Sequence, residues 1–185
     1  MRRRLFELPK TYPVNATIVD SIFGQTMLAI YDDWQKIPNT YKWDDELMKG
    51  DKKKFKKSWD ECDEVYFHMS INNHWILCEA SFKEWMISIY DLDHSNINQN
   101  VLAHNMNQRR KMLPSLLKCS GMLDKNPHLK LQRLKHTVAE FDWRRISTNV
   151  VPQSKSCGDC SVFAIKNLEF LLGDIPLSYA VDDHI

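Results

Sequence analysis

Nothing in this 185-residue sequence approaches the roughly 20 consecutive apolar residues that cross a bilayer. The opening Met1-Arg2-Arg3-Arg4-Leu5 is not followed by the apolar stretch of a secretory signal; Arg2 to Arg4 read as a localisation signal or simply a solvated end. Neither sign of charge is in excess. With 25 Lys and Arg against 24 Asp and Glu, bulk electrostatics gives no support to a nucleic-acid or acidic-membrane partner. Five cysteines, an odd number at irregular spacing, do not make a disulfide framework and point to a reducing, intracellular compartment, nucleus or cytoplasm. There is no second C-x-x-C or close Cys/His pair to complete a zinc site, and no metal or cofactor is expected. No repeat, low-complexity tract or long linker interrupts the chain, so residues 1–185 are expected to form one monomeric domain with its own core.

What is present centres on Ser156-Cys157-Gly158-Asp159-Cys160-Ser161-Val162-Phe163. The apolar residues Val162, Phe163, Ile165, Leu168, Leu171 and Leu172 recur at helical spacing and stop at Gly173, which puts Cys160 where a helix begins. A thiol there faces unpaired backbone N–H groups and the positive end of the peptide dipole, both of which favour the nucleophilic thiolate. A nucleophile needs a base. His74 lies between two β-rich segments, Val65 to Ile71 and Trp75 to Ala80, and a third, Trp85 to Tyr90, ends at Asp91. Paired strands lie about 5 Å apart, so a histidine on one and an aspartate at the end of the next can meet. Asp93 shares the strand face of Asp91 and remains an alternative acid. His68 is an alternative base without a carboxylate at matching distance. Cys157 is an alternative nucleophile, and Cys157 with Cys160 could also form a thiol redox pair.

His74-Trp75, Tyr90-Asp91 seventeen positions after His74, and Pro152-Gln153 ahead of Gly158-Asp159-Cys160 together resemble the ubiquitin-like (SUMO-type) cysteine proteases of the papain-like superfamily, including their plant transposon-associated branch. The resemblance implies an α+β papain-like fold with a central, mostly antiparallel sheet flanked by helices and the nucleophile at a helix N-terminus. It implies Cys160 as nucleophile, His74 as base and acid, Asp91 as the group orienting the imidazole and Gln153 as oxyanion-hole donor. It also implies Trp75 as roof of a groove that admits a Gly-Gly tail, and a ubiquitin-like modifier or its conjugates as partner. The chain departs from the pattern at two points: Ser161 follows the nucleophile where glycine is usual, and Gln153 stands seven residues before Cys160 rather than six. A catalytically inactive module that still binds a ubiquitin-like protein is the alternative these departures raise. The match covers residues 65–172 well and 1–60 loosely, and it implies further helix beyond the nucleophile helix.

Elsewhere, the spacing predicts an amphipathic helix over Thr17 to Tyr31, capped by Asn15 or Thr17, followed by a loop anchored by Trp34, Tyr41 and Trp43. Lys52 to Lys54 with Lys56 and Lys57 form a basic cluster, read as a solvated helix face or a contact for an acidic partner. Leu102 to Lys118 reads as a surface helix interrupted near Pro114 and ended by Cys119-Ser120-Gly121. Thr137 to Trp143 alternates as a strand, Ile146 to Val151 is expected to extend it, and the residues from Gly173 on read as a short tail.

Overall fold

The computed structural model describes residues 1–119, 121–125, 133–134, 137–154 and 160–179. In chain order these form α1 (Arg2–Glu7), β1 (Ala16–Ile18), α2 (Phe23–Lys36), β2 (Glu64–Ile71), β3 (His74–Ser81), β4 (Met86–Tyr90), α3 (Gln99–Cys119), α4 (Met122–Lys125), β5 (Arg133–Leu134), β6 (Thr137–Val138), β7 (Asp142–Arg145) and α5 (Cys160–Leu172). The main sheet has the order β1-β2-β3-β4-β7, while β5 and β6 pair separately. Its three central strands fall on the three β-rich segments and are antiparallel, as the resemblance implies, but β1 joins β2 and β7 joins β4 in parallel, so the sheet is mixed.

Strand alternation sorts the core onto two faces. Phe67, Met69, Ile76 and Ile89 turn to one face and join α2 and α3. Tyr66, Leu77 and Tyr90 turn to the other and join Phe163 and Leu168 of α5 and Leu5 of α1. With helices on both faces, β3 is buried along nearly its whole length. Among the described residues, no helix is long and apolar enough to cross a membrane.

Several elements differ from the sequence expectation, each for a physical reason. Thr17 lies in β1, not in a helix, because Ala16, Thr17 and Ile18 are all buried against β2, and α2 begins at Phe23 with neither Asn15 nor Thr17 capping it. At Gly24 of that helix a Cβ would lie 2.8 Å from the His68 carbonyl oxygen, so glycine is what lets α2 approach β2 closely. Trp34 belongs to α2, and its Nε1 and that of Trp43 both donate to the Ser115 hydroxyl at 3.1 and 3.3 Å, so these aromatics do anchor the segment. The lysine cluster is a tight 3₁₀ turn, Lys52–Lys54, and not a helix face.

Helix α3 runs on through Pro114 without a break. A proline there leaves the carbonyl of Arg110 without its helical donor, and the Phe141 N–H fills that place at 3.1 Å. The same Phe141 stacks on Trp85 at 4.1 Å and is fully buried. That excursion into the core splits the expected strand over Thr137 to Trp143 into β6 and β7, and Asn149 and Val150 form a turn instead of continuing it. Beyond α5, Leu177 is buried and Tyr179 stacks on Phe163, so the tail through residue 179 folds back onto the helix. Residues 180–185 of the expected tail lie outside the described residues.

Candidate active site

Helix α5 brings Cys160 to the start of β3. Val162 and Ile165 point outward, while Phe163, Ala164 and Leu168 seat the helix against the sheet, and Cys160 falls on the buried side. Its Sγ accepts a hydrogen bond from the Trp75 backbone N–H at 3.4 Å, which fixes the sulfur beside the His74-Trp75 peptide. Cys157, and with it the possible C-x-x-C pair, lies outside the described residues.

His74 owes its place to a two-residue hairpin. Asn72 and Asn73 both have positive φ, 52° and 61°, the combination of a type I′ turn, and asparagine adopts it readily. Ile71 therefore pairs with His74, making the histidine the first residue of β3. Leu77 pairs with Tyr90, so the register continues with Ile76 opposite Asp91, and His74 stands diagonal to Asp91 on the same face. The diagonal is bridged: His74 Nε2 lies 2.7 Å from Asp91 Oδ1. Both residues are buried, Asp91 completely.

Asp91 is held from several sides. Oδ1 also accepts from the Asp93 backbone N–H at 2.9 Å, and Oδ2 accepts from Arg145 Nη2 at 2.5 Å. Burial alone would push this carboxyl up, but the hydrogen bonds from His74, the Asp93 backbone and Arg145, with the Arg145 charge, outweigh it and hold it below the usual aspartate range. An ionised carboxylate only accepts hydrogen bonds, so Nε2 of the imidazole carries the proton and Nδ1 is the basic nitrogen of the neutral ring.

The His74 imidazole meets the carboxylate of Asp91, whereas Asp93 is engaged elsewhere. Its carboxylate accepts from the Ser95 backbone N–H at 3.0 Å and shapes the following turn. His68 lies on β2, where its Nε2 is buried without a partner among the described residues. Burial lowers its affinity for a proton despite a hydrogen bond with the Ala164 backbone.

Gln153 sits beside the same loop. Its Nε2 donates to the carbonyls of Asp91 at 3.0 Å and Val151 at 3.1 Å, and its Oε1 accepts from the His94 N–H at 3.1 Å. Both amide protons are thus engaged by backbone carbonyls. Trp75 is half-buried beside the sulfur. Arg145 was not singled out from the sequence; nothing local marks it, because its contact with Asp91 follows from the parallel pairing of β7 with β4, in which Arg145 faces Ile89. No group of three or more His, Cys, Asp or Glu side chains suited to a metal ion occurs among the described residues.

A buried imidazole hydrogen-bonded to an ionised carboxylate, with a thiol at a helix start held on the backbone N–H of the next residue, offers the groups that nucleophilic attack and proton transfer require. Over residues 1–184 the chain matches the Ulp1 protease family, C-terminal catalytic domain. Solved structures with the same fold include the SUMO protease Ulp1 with its catalytic cysteine oxidised to a sulfenic acid, at 22% identity and TM-score 0.57 over 94% of this chain and 64% of that one. Another is the C-terminal Ulp1 protease domain in complex with Smt3, the yeast ortholog of SUMO, at 20% identity and TM-score 0.57 over 97% of this chain and 64% of that one. The chain thus spans less than two thirds of the length of these relatives. No curated protein matches it.

Proposed function

The chain belongs to the Ulp1 protease family, and from that premise we propose that it is an intracellular cysteine protease that cleaves after the C-terminal glycines of a SUMO-like modifier. The observation that carries this reading is the 2.7 Å contact of His74 with Asp91, with the sulfur of Cys160 held on the backbone N–H of the next residue, Trp75. His74 Nδ1 takes the thiol proton, and the thiolate attacks the scissile carbonyl carbon while the carbonyl electron pair moves to oxygen. Collapse of the tetrahedral species breaks the C–N bond, and the imidazolium gives its proton to the leaving amine. Water, deprotonated by the same imidazole, then attacks the thioester and frees the modifier's carboxylate and Cys160. Asp91 keeps Nε2 protonated and the ring aimed. Trp75 forms a flat wall that admits a chain without side chains.

Gln153 is assigned the oxyanion, and its amide must release one of its two backbone carbonyls to reach it. A single such donor is worth about a hundredfold or more in rate. Gln153→Ala is therefore expected to lower kcat by about that factor with KM little changed; a variant with the wild-type rate removes Gln153 from the reaction.

A SUMO bearing a C-terminal vinyl sulfone tests the assignment of the nucleophile. The wild type is expected to form a covalent one-to-one adduct, and Cys160→Ala none. Labelling that survives Cys160→Ala and disappears with Cys157→Ala moves the nucleophile to Cys157. Tight binding without any adduct supports the second reading, a module that grips the modifier without cutting it, which the engaged amide of Gln153 favours.

A further inference from the structure

The triad reading leaves Arg145 without a part, although it makes the shortest contact in the site. Its Nη2 lies 2.5 Å from Asp91 Oδ2, on the opposite side of the carboxylate from His74, and its Nη1 donates to the Ile97 carbonyl at 3.1 Å. The side chain is 11% exposed and its partner fully buried, so the charges meet with little water between them. A guanidinium that grips a carboxylate oxygen and a fixed carbonyl together cannot rotate without losing one, and this settles which oxygen of Asp91 faces the imidazole.

We propose that Arg145 is a positioning residue of this site: it fixes the Asp91 carboxylate so that one chosen oxygen is presented to His74. The inference rests on the triad proposed above. Among the described neighbours of Asp91, His74 holds Oδ1 from β3, the Asp93 backbone N–H holds the same oxygen from the following loop, and Arg145 holds Oδ2 from β7. Arg145 thus grips the oxygen that the imidazole does not use, and its second bond, to the Ile97 carbonyl, ties that grip to the backbone.

Two substitutions test the fork. Arg145→Gln removes the cation and the paired grip on Asp91 and Ile97, and kcat is expected to fall about tenfold or more with KM little changed. Arg145→Lys keeps the charge, but an ammonium does not reproduce the fork, so kcat is expected to fall about tenfold there as well. The measurement is kcat and KM separately on a fluorogenic SUMO substrate, with thermal melts confirming that each variant is folded. Wild-type kcat in folded Arg145→Gln, or a loss confined to KM, overturns the proposal. If Arg145→Gln is too unstable to assay, Arg145→Lys decides, and wild-type turnover there overturns it. A wild type that neither turns over nor forms the vinyl sulfone adduct overturns the protease reading instead, so the two failures are distinct.

Discussion

Replacing His74 by alanine is expected to lower kcat/KM by a factor on the order of 10⁴ to 10⁶ at neutral pH, the range seen when the general base of a nucleophile–base pair is removed. In the proposed mechanism the imidazole both takes the thiol proton and gives one to the leaving amine, and no second group is assigned either act. Asp91 is engaged by His74, the Asp93 N–H and Arg145, and the His68 imidazole lies half-buried on the neighbouring strand, its Nε2 without a partner among the described residues. His68→Ala is therefore expected to leave most of the activity intact. Steady-state turnover of a fluorogenic SUMO substrate checks the pair, and a His74→Ala enzyme within tenfold of wild type alongside a dead His68→Ala enzyme would give the base to His68.

Substitutions of Asp91 should cost both activity and stability, and the two losses have different causes. In Asp91→Ala the buried Arg145 guanidinium loses its carboxylate. Breaking a buried pair from one side typically costs about 3–5 kcal/mol, read as a lower midpoint in urea. Asp91→Asn preserves the shape but has a single acceptor oxygen where His74, the Asp93 N–H and Arg145 all donate. If its amide nitrogen faces the ring, Nε2 must accept, and the ring proton moves to Nδ1 on the side of the sulfur, the wrong tautomer for a base. A drop of about 10⁴ in kcat is expected, as for the aspartate-to-asparagine change in a serine protease triad. Retention of activity in folded Asp91→Asn would show that the carboxylate is dispensable. Because the folded state holds the Asp91 carboxyl low, the stability it contributes is fully present above the usual aspartate range and is lost as pH falls through its depressed value. Acid below about pH 4 should therefore destabilise the wild type more steeply than Asp91→Asn.

The two strands flanking His74 were readable because their determinants are local, although the tight turn that joins them was not singled out. Two asparagines between β-rich runs suit a two-residue turn, and that turn fixes the register that sets His74 diagonal to Asp91. Helix α5 was readable for the same reason, since its apolar spacing and Gly173 lie within one stretch of chain. The strand β1 was misread as helix because Ala16, Thr17 and Ile18 fit either pattern over so short a span. Their pairing with β2, nearly fifty residues away in sequence, decides it. Helix α3 was expected to break at Pro114 because the donor that completes the Arg110 carbonyl comes from Phe141, outside any local window.

By itself, the sequence determined the candidate set: a cysteine at a helix start, a histidine between two β-rich segments, an aspartate at a strand end, and their order along the chain. Those features depend on neighbours within one helical turn or one hairpin, where backbone geometry leaves little choice. Only the tertiary structure decided how the set is tied down. Arg145 reaches Asp91 because β7 returns to lie parallel to β4, and Gln153 spends its amide on the Asp91 loop because the segment before α5 runs beside it. Both contacts join residues more than fifty positions apart, and nothing in either local stretch encodes the partner that long-range packing supplies.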